Sequence, residues 1–354
     1  MPGKKNKKTK KSKGIRIGIW LLVLTSLLFS AFVYVMFLRP ATKFKGEQVI
    51  IFVPKSKATK QYVRDQIKNQ VQTVSYNTFL GLAEWSGYWK KIKSGRYVIE
   101  KNSSIFTVFR KLYGGRQDPV SITINKFRTN NDVAKYVAQK LEFTETEMKR
   151  FINNSDSLNS LGLTKETFMT VIIPNTYEIY WDSSPRDFME RMLKESNKFW
   201  NDSRIDKAKQ LELSKEEVIT IASIVEEETN DNTEKPLIAS VYVNRLKKEM
   251  PLGADPTIKF ALGNFMLKRI TLAHIRGSSS SPYNTYSRKG LPPGPICTPS
   301  IASIDAVLKG EATSYLYFCA KADFSGSHSF ASTAEEHFAN ARKYRKALDS
   351  LGIH

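Results

Sequence analysis

The chain has 354 residues, 55 basic and 34 acidic side chains, a net charge of +21, 41% hydrophobic residues, two cysteines and four histidines. That length suits about two or three packed units. An ordinary apolar share, with 14 Pro and 18 Gly spread along the chain, excludes a mostly disordered, collagen-like or repeat protein. One pair of thiols, Cys297 and Cys319, is no disulfide framework, and two buried free thiols are the simpler expectation.

The charge is uneven. Lys4, Lys5, Lys7, Lys8, Lys10, Lys11, Lys13 and Arg16 crowd the first sixteen residues, which hold no acid. The next 22 residues, Ile17 to Leu38, carry no charge at all. As a helix they reach about 33 Å at ~1.5 Å per residue, enough for a hydrocarbon core of about 30 Å. A cleaved signal peptide usually has a shorter apolar stretch and a small-x-small site, and none follows Leu38 before Arg39 and Pro40, so a retained single-pass anchor is expected. The positive-inside rule then keeps residues 1–16 as a cytoplasmic basic tail, makes 17–38 the transmembrane helix and sends 40–354 across the membrane. Trp20 and Tyr34 suit the two interfaces. A lysine arm beside a span is explained by anionic membrane lipid, so no nucleic-acid partner is expected.

Beyond the span, Val49 to Pro54 reads as a strand, Lys57 to Val71 and Asn77 to Ile92 as helices, and Gly95 to Ile99 as a strand. Ser104 can cap a helix bearing Ile105, Val108, Phe109 and Leu112, which Gly114 and Gly115 stop. These elements make a small α+β module over 44–118 with no catalytic constellation, so binding or spacing is its default role. Val120 to Ile124 alternates like a strand. Residues 125–200 look helical, broken at Pro174. Ser214 and Glu217 form a capping box, and the helix after them is apolar almost all round from Val218 to Val225, as befits the centre of a core.

That helix ends in Glu226, Glu227 and Glu228, which at about 100° per residue must point three ways. Glu226 continues the apolar face of Ile219 and Ala222, where desolvation would raise its pKa and keep it protonated as a general acid. Periodicity alone does not choose among the three. The sequence that follows sets amide, hydroxyl and aromatic groups on Pro- and Gly-stiffened loops, a composition suited to hydrogen-bonding sugar hydroxyls and stacking on ring faces. His274, His328, His337 and His354 lack ligand spacing, so neither metal nor cofactor is expected.

The segments IASIVEEET (221–229), IASVYVNRL (238–246), ADPTIKFALG (254–263), SPYNTYSRKGLPPGPICTPS (281–300) and SYLYFCAKADFSGSHSF (314–330) resemble the MltG/YceG-like endolytic murein transglycosylases. The likeness spans roughly Gly95 to Leu348 and reaches more loosely to IPNTYEIYW (173–181). It implies an α+β fold with one N-terminal transmembrane helix, a small LysM-like α+β module and a larger catalytic domain over 119–350. It further implies that Glu226 is the catalytic acid/base and that the other segments line the cleft. Asn284 and Tyr286 lead the expected sugar contacts, with Asp255, Thr257, Tyr283 and His328 behind them and Thr285 and Asn244 in the same segments. Glu227 departs from the basic residue expected in some relatives.

The implied reaction cuts the β-1,4 bond between N-acetylmuramic acid and N-acetylglucosamine in nascent peptidoglycan and leaves 1,6-anhydro-muramic acid ends. The implied partners are glycan strands, inner-membrane lipid and the cell-wall synthases of a bacterial cytoplasmic membrane. Two other readings stay open at this level. One is a hydrolytic muramidase in which Asp255 or Glu228 supplies a second carboxylate. The other is a membrane-anchored peptidoglycan-binding scaffold without catalysis.

Overall fold

The structure is a computed structural model that describes residues 8–73 and 75–350, so residues 1–7 of the expected basic tail lie outside the described part. The chain divides into two compact units, Met1–Val120 with Tyr180–Asp182, and Ser121–Ile179 with Ser183–His354.

The first unit begins with helix α1 (Lys8–Val33). The stretch Ile15–Leu38 is 24 residues long with a mean hydropathy of 2.4, long and apolar enough to cross a membrane. Most of its side chains are exposed, Trp20 being 72% and Leu22 70% exposed. A π-helical turn, Tyr34–Leu38, then buries Met36 and sets the Phe37 ring 4.4 Å from that of Phe106. The unit continues with β1 (Gln48–Val53), α2 (Lys60–Gln66), α3 (Tyr76–Trp85), β2 (Gly95–Glu100) and α4 (Ile105–Gly114). Strands β1 and β2 pair antiparallel from Gln48↔Glu100 to Val53↔Gly95.

Alternation decides which face of that ribbon is covered: Ile51, Val53, Tyr97 and Ile99 pack with Val63, Ile67, Phe79, Val108 and Leu112 of the helices. Truncating a core side chain such as Leu112 to Ala costs about 2–5 kcal/mol in such packing. Helix α4 starts where the Ser104 hydroxyl accepts from the Thr107 amide and stops at Gly115, whose φ of +63° favours glycine. The helix expected from Lys57 is regular only from Lys60, and residues 67–71 widen into a π turn.

The second unit opens with β3 (Val120–Thr123), followed by α5 (Asn130–Ala138), α6 (Glu145–Asn153), α7 (Ser155–Asn159) and β4 (Thr176–Ile179), which pairs with β3. Helices α8 (Pro185–Phe199), α9 (Asp202–Gln210), α10 (Lys215–Glu228), α11 (Lys235–Lys247), α12 (Asp255–Ala261), α13 (Leu272–Gly277) and α14 (Ile301–Leu308) follow. The hairpin β5 (Tyr317–Ala320) and β6 (His328–Ala331), with α15 (Ala334–Ser350), closes the unit.

Helix α10 is its axis. The Ser214 and Glu217 capping box forms as expected, and every residue from Val218 to Val225 is buried. Ile238, Ala239 and Tyr242 of α11 and Ile304 and Val307 of α14 belong to the same core. The Pro- and Gly-rich loop is tied to this axis: the Ile296 amide donates to the Ser223 hydroxyl at 3.0 Å and the Cys297 thiol to the Ser223 carbonyl at 3.4 Å. Both cysteines are free. Cys297 is buried, but Cys319 sits on the half-exposed hairpin, which corrects the expectation of two buried thiols.

Candidate active site

The three carboxylates that end α10 do diverge, and each meets a different chemistry. Glu226 reaches the start of α14. Its Oε2 accepts from the Ser300 amide at 3.2 Å, from the Ser300 and Ser303 hydroxyls, and from Lys235 Nζ at 3.2 Å. Lys235 is itself only 4% exposed. Burial works against ionising Glu226, but the two serines and the lysine outweigh it and hold the carboxyl below its ordinary value. A helix N-terminus adds to the preference for the anion.

The wall expected to be apolar around Glu226 is polar in the structure. The helical face of Glu226 is apolar, but the neighbouring elements bring donors to it.

Glu227 turns to the irregular segment between β3 and α5. Arg128 grips it through two bonds of 3.1 Å, and Lys126 Nζ lies 2.9 Å from Oε1. Here too burial opposes the charge, and the two cations overcome it.

Glu228 is the exception. Burial dominates its environment, the like charge of Asp255 adds to that, and the Tyr242 hydroxyl, 2.6 Å from Oε1, offsets only part. The carboxyl is pushed up to about 7. Tyr242, 2% exposed on α11, is in turn driven well above its usual value by burial and by Glu228, so it stays a hydrogen-bond donor. Close by, the hydroxyl of Tyr286, a side chain that is 38% exposed, donates to Asp255 Oδ1 at 2.5 Å. Lys259, one turn along α12 from Asp255, is the nearest cationic influence on Glu228. Glu228 thus combines a raised pKa with the nearby Asp255 and Tyr286 pair, features found in general acids.

The expected sugar contacts separate into two sets. Asp255, Tyr283 and Tyr286 present surface. Asn284, Thr257 and Thr285 are fully buried or nearly so, and their polar atoms hold the fold. The Asn284 amide donates to Ile275 O at 2.8 Å and to the Ser278 hydroxyl, while its oxygen accepts from the Tyr286 and Ser287 amides. The Thr257 and Thr285 hydroxyls meet at 2.8 Å, and Thr285 also ties the Ala254 amide. These three residues shape the turns that carry Asp255 and Tyr286. Asn244 likewise donates to the Thr313 and Tyr315 carbonyls. His328 binds Glu234 through its backbone and ring nitrogens at 2.7 and 2.9 Å, pinning the hairpin to the start of α11.

Lys235, Ser300, Ser303, Tyr242 and Arg128 escaped the sequence reading. Only Tyr242 gave a signal, as a polar aromatic on an otherwise apolar stretch of α11. Among the described residues no group of three His, Cys, Asp or Glu side chains is placed to hold a metal ion.

The second unit is thus an α+β frame built on one buried helix that ends in differently solvated carboxylates beside stiffened polar loops. The profile of the YceG-like family matches residues 51–343, and the chain belongs to that family. It is 28% identical over 323 residues to an endolytic murein transglycosylase of Bacillus subtilis, covering 87% of this chain and 88% of the relative. A protein of the same name from Streptococcus pneumoniae is 28% identical over 282 residues, 72% of this chain but only 51% of that longer relative. In fold, the chain resembles a YceG-like protein of Listeria monocytogenes with a TM-score of 0.54 at 24% identity, over 83% of this chain and 98% of the other.

Proposed function

We propose that the protein is a membrane-anchored endolytic murein transglycosylase whose general acid and base is Glu228. The observation that carries the assignment is the setting of the three carboxylates: Glu228 has the Tyr242 phenol as its side-chain donor and lies beside the Tyr286 and Asp255 pair, while Glu226 and Glu227 are tied to a lysine with two serines and to an arginine with a lysine. The relatives' names supply the substrate class.

In the first step Glu228 donates its proton to the oxygen joining N-acetylmuramic acid to the next N-acetylglucosamine, and the C1–O bond breaks. The Tyr242 hydroxyl occupies Oε1, which leaves Oε2 to carry the proton. In the second step the Glu228 carboxylate takes the proton of the muramic C6 hydroxyl as that oxygen bonds to C1. The end is a 1,6-anhydro ring, and Glu228 is protonated again. Because the nucleophile belongs to the sugar already held in place, its effective concentration is high and no second protein carboxylate is needed. Asp255 and Tyr286 stabilise the cationic sugar and orient it.

The first unit has a strand, two helices, strand order, and we assign it to holding glycan near the membrane as a LysM-like module. The basic tail keeps the N-terminus in the cytoplasm, so that both units face newly made strands and the synthases that extend them. An anchored enzyme restricted in this way trims nascent strands internally.

Mass spectrometry of peptidoglycan digests tests the reaction and the residue together. Internal fragments with anhydro-muramic ends from wild type and Glu226→Gln, but not from Glu228→Gln, are expected. A Glu228→Gln protein that still cuts, with Glu226→Gln folded but silent, would return the role to Glu226. One observation favours a second reading: the Asp255 carboxylate lies close enough to Glu228 to raise its pKa, as in a two-carboxylate muramidase. Reducing ends in the same digest would establish that hydrolase instead.

A further inference from the structure

The second unit holds a cavity of about 390 Å³ that none of the acid's own bonds enters, a size typical of small-ligand sites. Its apolar wall is Phe260, Tyr283 and Pro295, with the Phe260 and Tyr283 rings tilted 4.5 Å apart. The opposite wall is polar and basic: Asn131 at the start of α5, Lys149 of α6 and Lys165.

The walls are braced. The Asn130 amide donates to the Lys165 carbonyl at 2.8 Å, and Thr129 caps α5. Across the cavity, any Cβ on Gly294 would fall 2.1 Å from the Glu166 carbonyl oxygen, so the loop leading to Pro295 runs in contact with that turn.

Charge narrows the ligand. Lys149 shares Glu145 on its own helix, and the Glu166 carboxylate takes the Thr164 hydroxyl, while the Lys165 ammonium has no carboxylate within ion-pair distance among the described residues. Lys149 is already paired on its own helix, so Lys165 is the ammonium left for a ligand with its own carboxylate, and the aromatic wall suits an aliphatic flank.

Two lining residues are chain neighbours of groups that act on the α10 carboxylates. Phe260 follows Lys259, whose charge acts on Glu228, and Thr129 follows Arg128, which grips Glu227.

We propose that this cavity binds the peptide arm of the muramic residue next to the cleaved bond, with Lys165, on the wall it shares with Lys149, taking a carboxylate and the Tyr283 and Phe260 rings its aliphatic part. The proposal rests on murein being the substrate.

Two readouts test it, both in the full chain in detergent. In the first, the free tripeptide L-Ala-γ-D-Glu-L-Lys is titrated into the Glu228→Gln protein with and without Lys149→Ala and Lys165→Ala. Saturable binding that weakens about tenfold or more on removing the two lysines is expected, the order of a lost charge-assisted bond, and Lys165→Arg restores part of it. In the second, KM is compared on peptide-bearing strands and on strands stripped by an amidase. Wild type prefers the peptide-bearing strands, and the double lysine variant brings the ratio of the two KM values toward one. Tripeptide binding that is absent or indifferent to the lysines, or a ratio that the variant keeps, overturns the proposal. Cutting by Glu228→Gln would remove the acid assignment and leave the peptide site standing, so the two failures are distinguishable.

Discussion

The two ends of the acidic triplet on α10 differ by less than one helical turn and have opposite electrostatics. At Glu226, the neighbouring elements supply a buried lysine, two serine hydroxyls and a backbone amide. At Glu228, they supply one phenol and a like charge. The first arrangement fixes an anion that holds α10, α11 and α14 together. The second withholds stabilisation from the anion and keeps a proton available. Donor supply, more than apolar surface as such, separates the carboxylate tied into the core from the one proposed as the acid.

Exchanging each residue for its amide breaks this comparison most directly. Glu228→Gln should lower turnover by about 10²–10⁴-fold, the contribution of a positioned acid and base. It should not destabilise the protein. A carboxyl raised from 4.5 to about 7 on folding is neutral in both states at pH 4, and it disfavours the fold increasingly as pH rises from about 4.5 to 7. Removing it should therefore stabilise the protein at pH 8, by up to about 3 kcal/mol, and leave the melting temperature at pH 4 unchanged.

Glu226→Gln should do the reverse. Leaving Lys235 buried without its partner costs roughly 3–5 kcal/mol at neutral pH. The wild-type stabilisation from this carboxylate is present above the ordinary Glu pKa and lost as pH falls through its lowered folded value, so the deficit of the variant shrinks in acid. Melting curves at pH 4 and 8 on both variants, with activity on the folded fraction, decide the matter. A Glu226→Gln protein as stable as wild type at pH 8 would remove the structural assignment.

The acid's setting can be sharpened through Tyr242. Its hydroxyl is the one hydrogen-bond donor that lowers the pKa of Glu228, so Tyr242→Phe should move the alkaline limb of the pH–rate profile upward from about 7 in wild type. A merely structural tyrosine would reduce rate or stability and leave that limb in place.

These contrasts show which parts of the site could be read from sequence. Caps and breakers are local: Ser104, Ser214 with Glu217, and Gly115 act within four residues of themselves, and the structure has them where the sequence places them. The divergence of the Glu triplet follows from helix geometry alone. The partners do not, because Ser300 and Ser303 join Glu226 from more than seventy residues away along the chain. Asn284 and Thr285 illustrate a different limit. A turn that binds sugar and a turn that locks itself use the same amides and hydroxyls, and only burial separates them. The β5–β6 hairpin went unread because SYLYFCA lacks clean alternation and its residues are half-buried on both faces.

The smallest expected effect belongs to Tyr286, on the exposed side of the acid. Its hydroxyl donates to Asp255, and the ring packs near Gly253, where a Cβ would stand 3.6 Å from Tyr286 Cε1. Tyr286→Phe keeps the ring and its packing but frees the Asp255 carboxylate, an exposed group that water can solvate. Stability should change by less than about 1 kcal/mol, since solvent replaces the lost bond. Turnover should fall about threefold to tenfold if the pair orients the sugar only when it is bound. The effect should appear in kcat more than in KM, because an interaction that strengthens as positive charge develops on the sugar acts on the transition state. A change confined to KM would make Tyr286 a ground-state contact and leave Asp255 as the group that answers the developing charge.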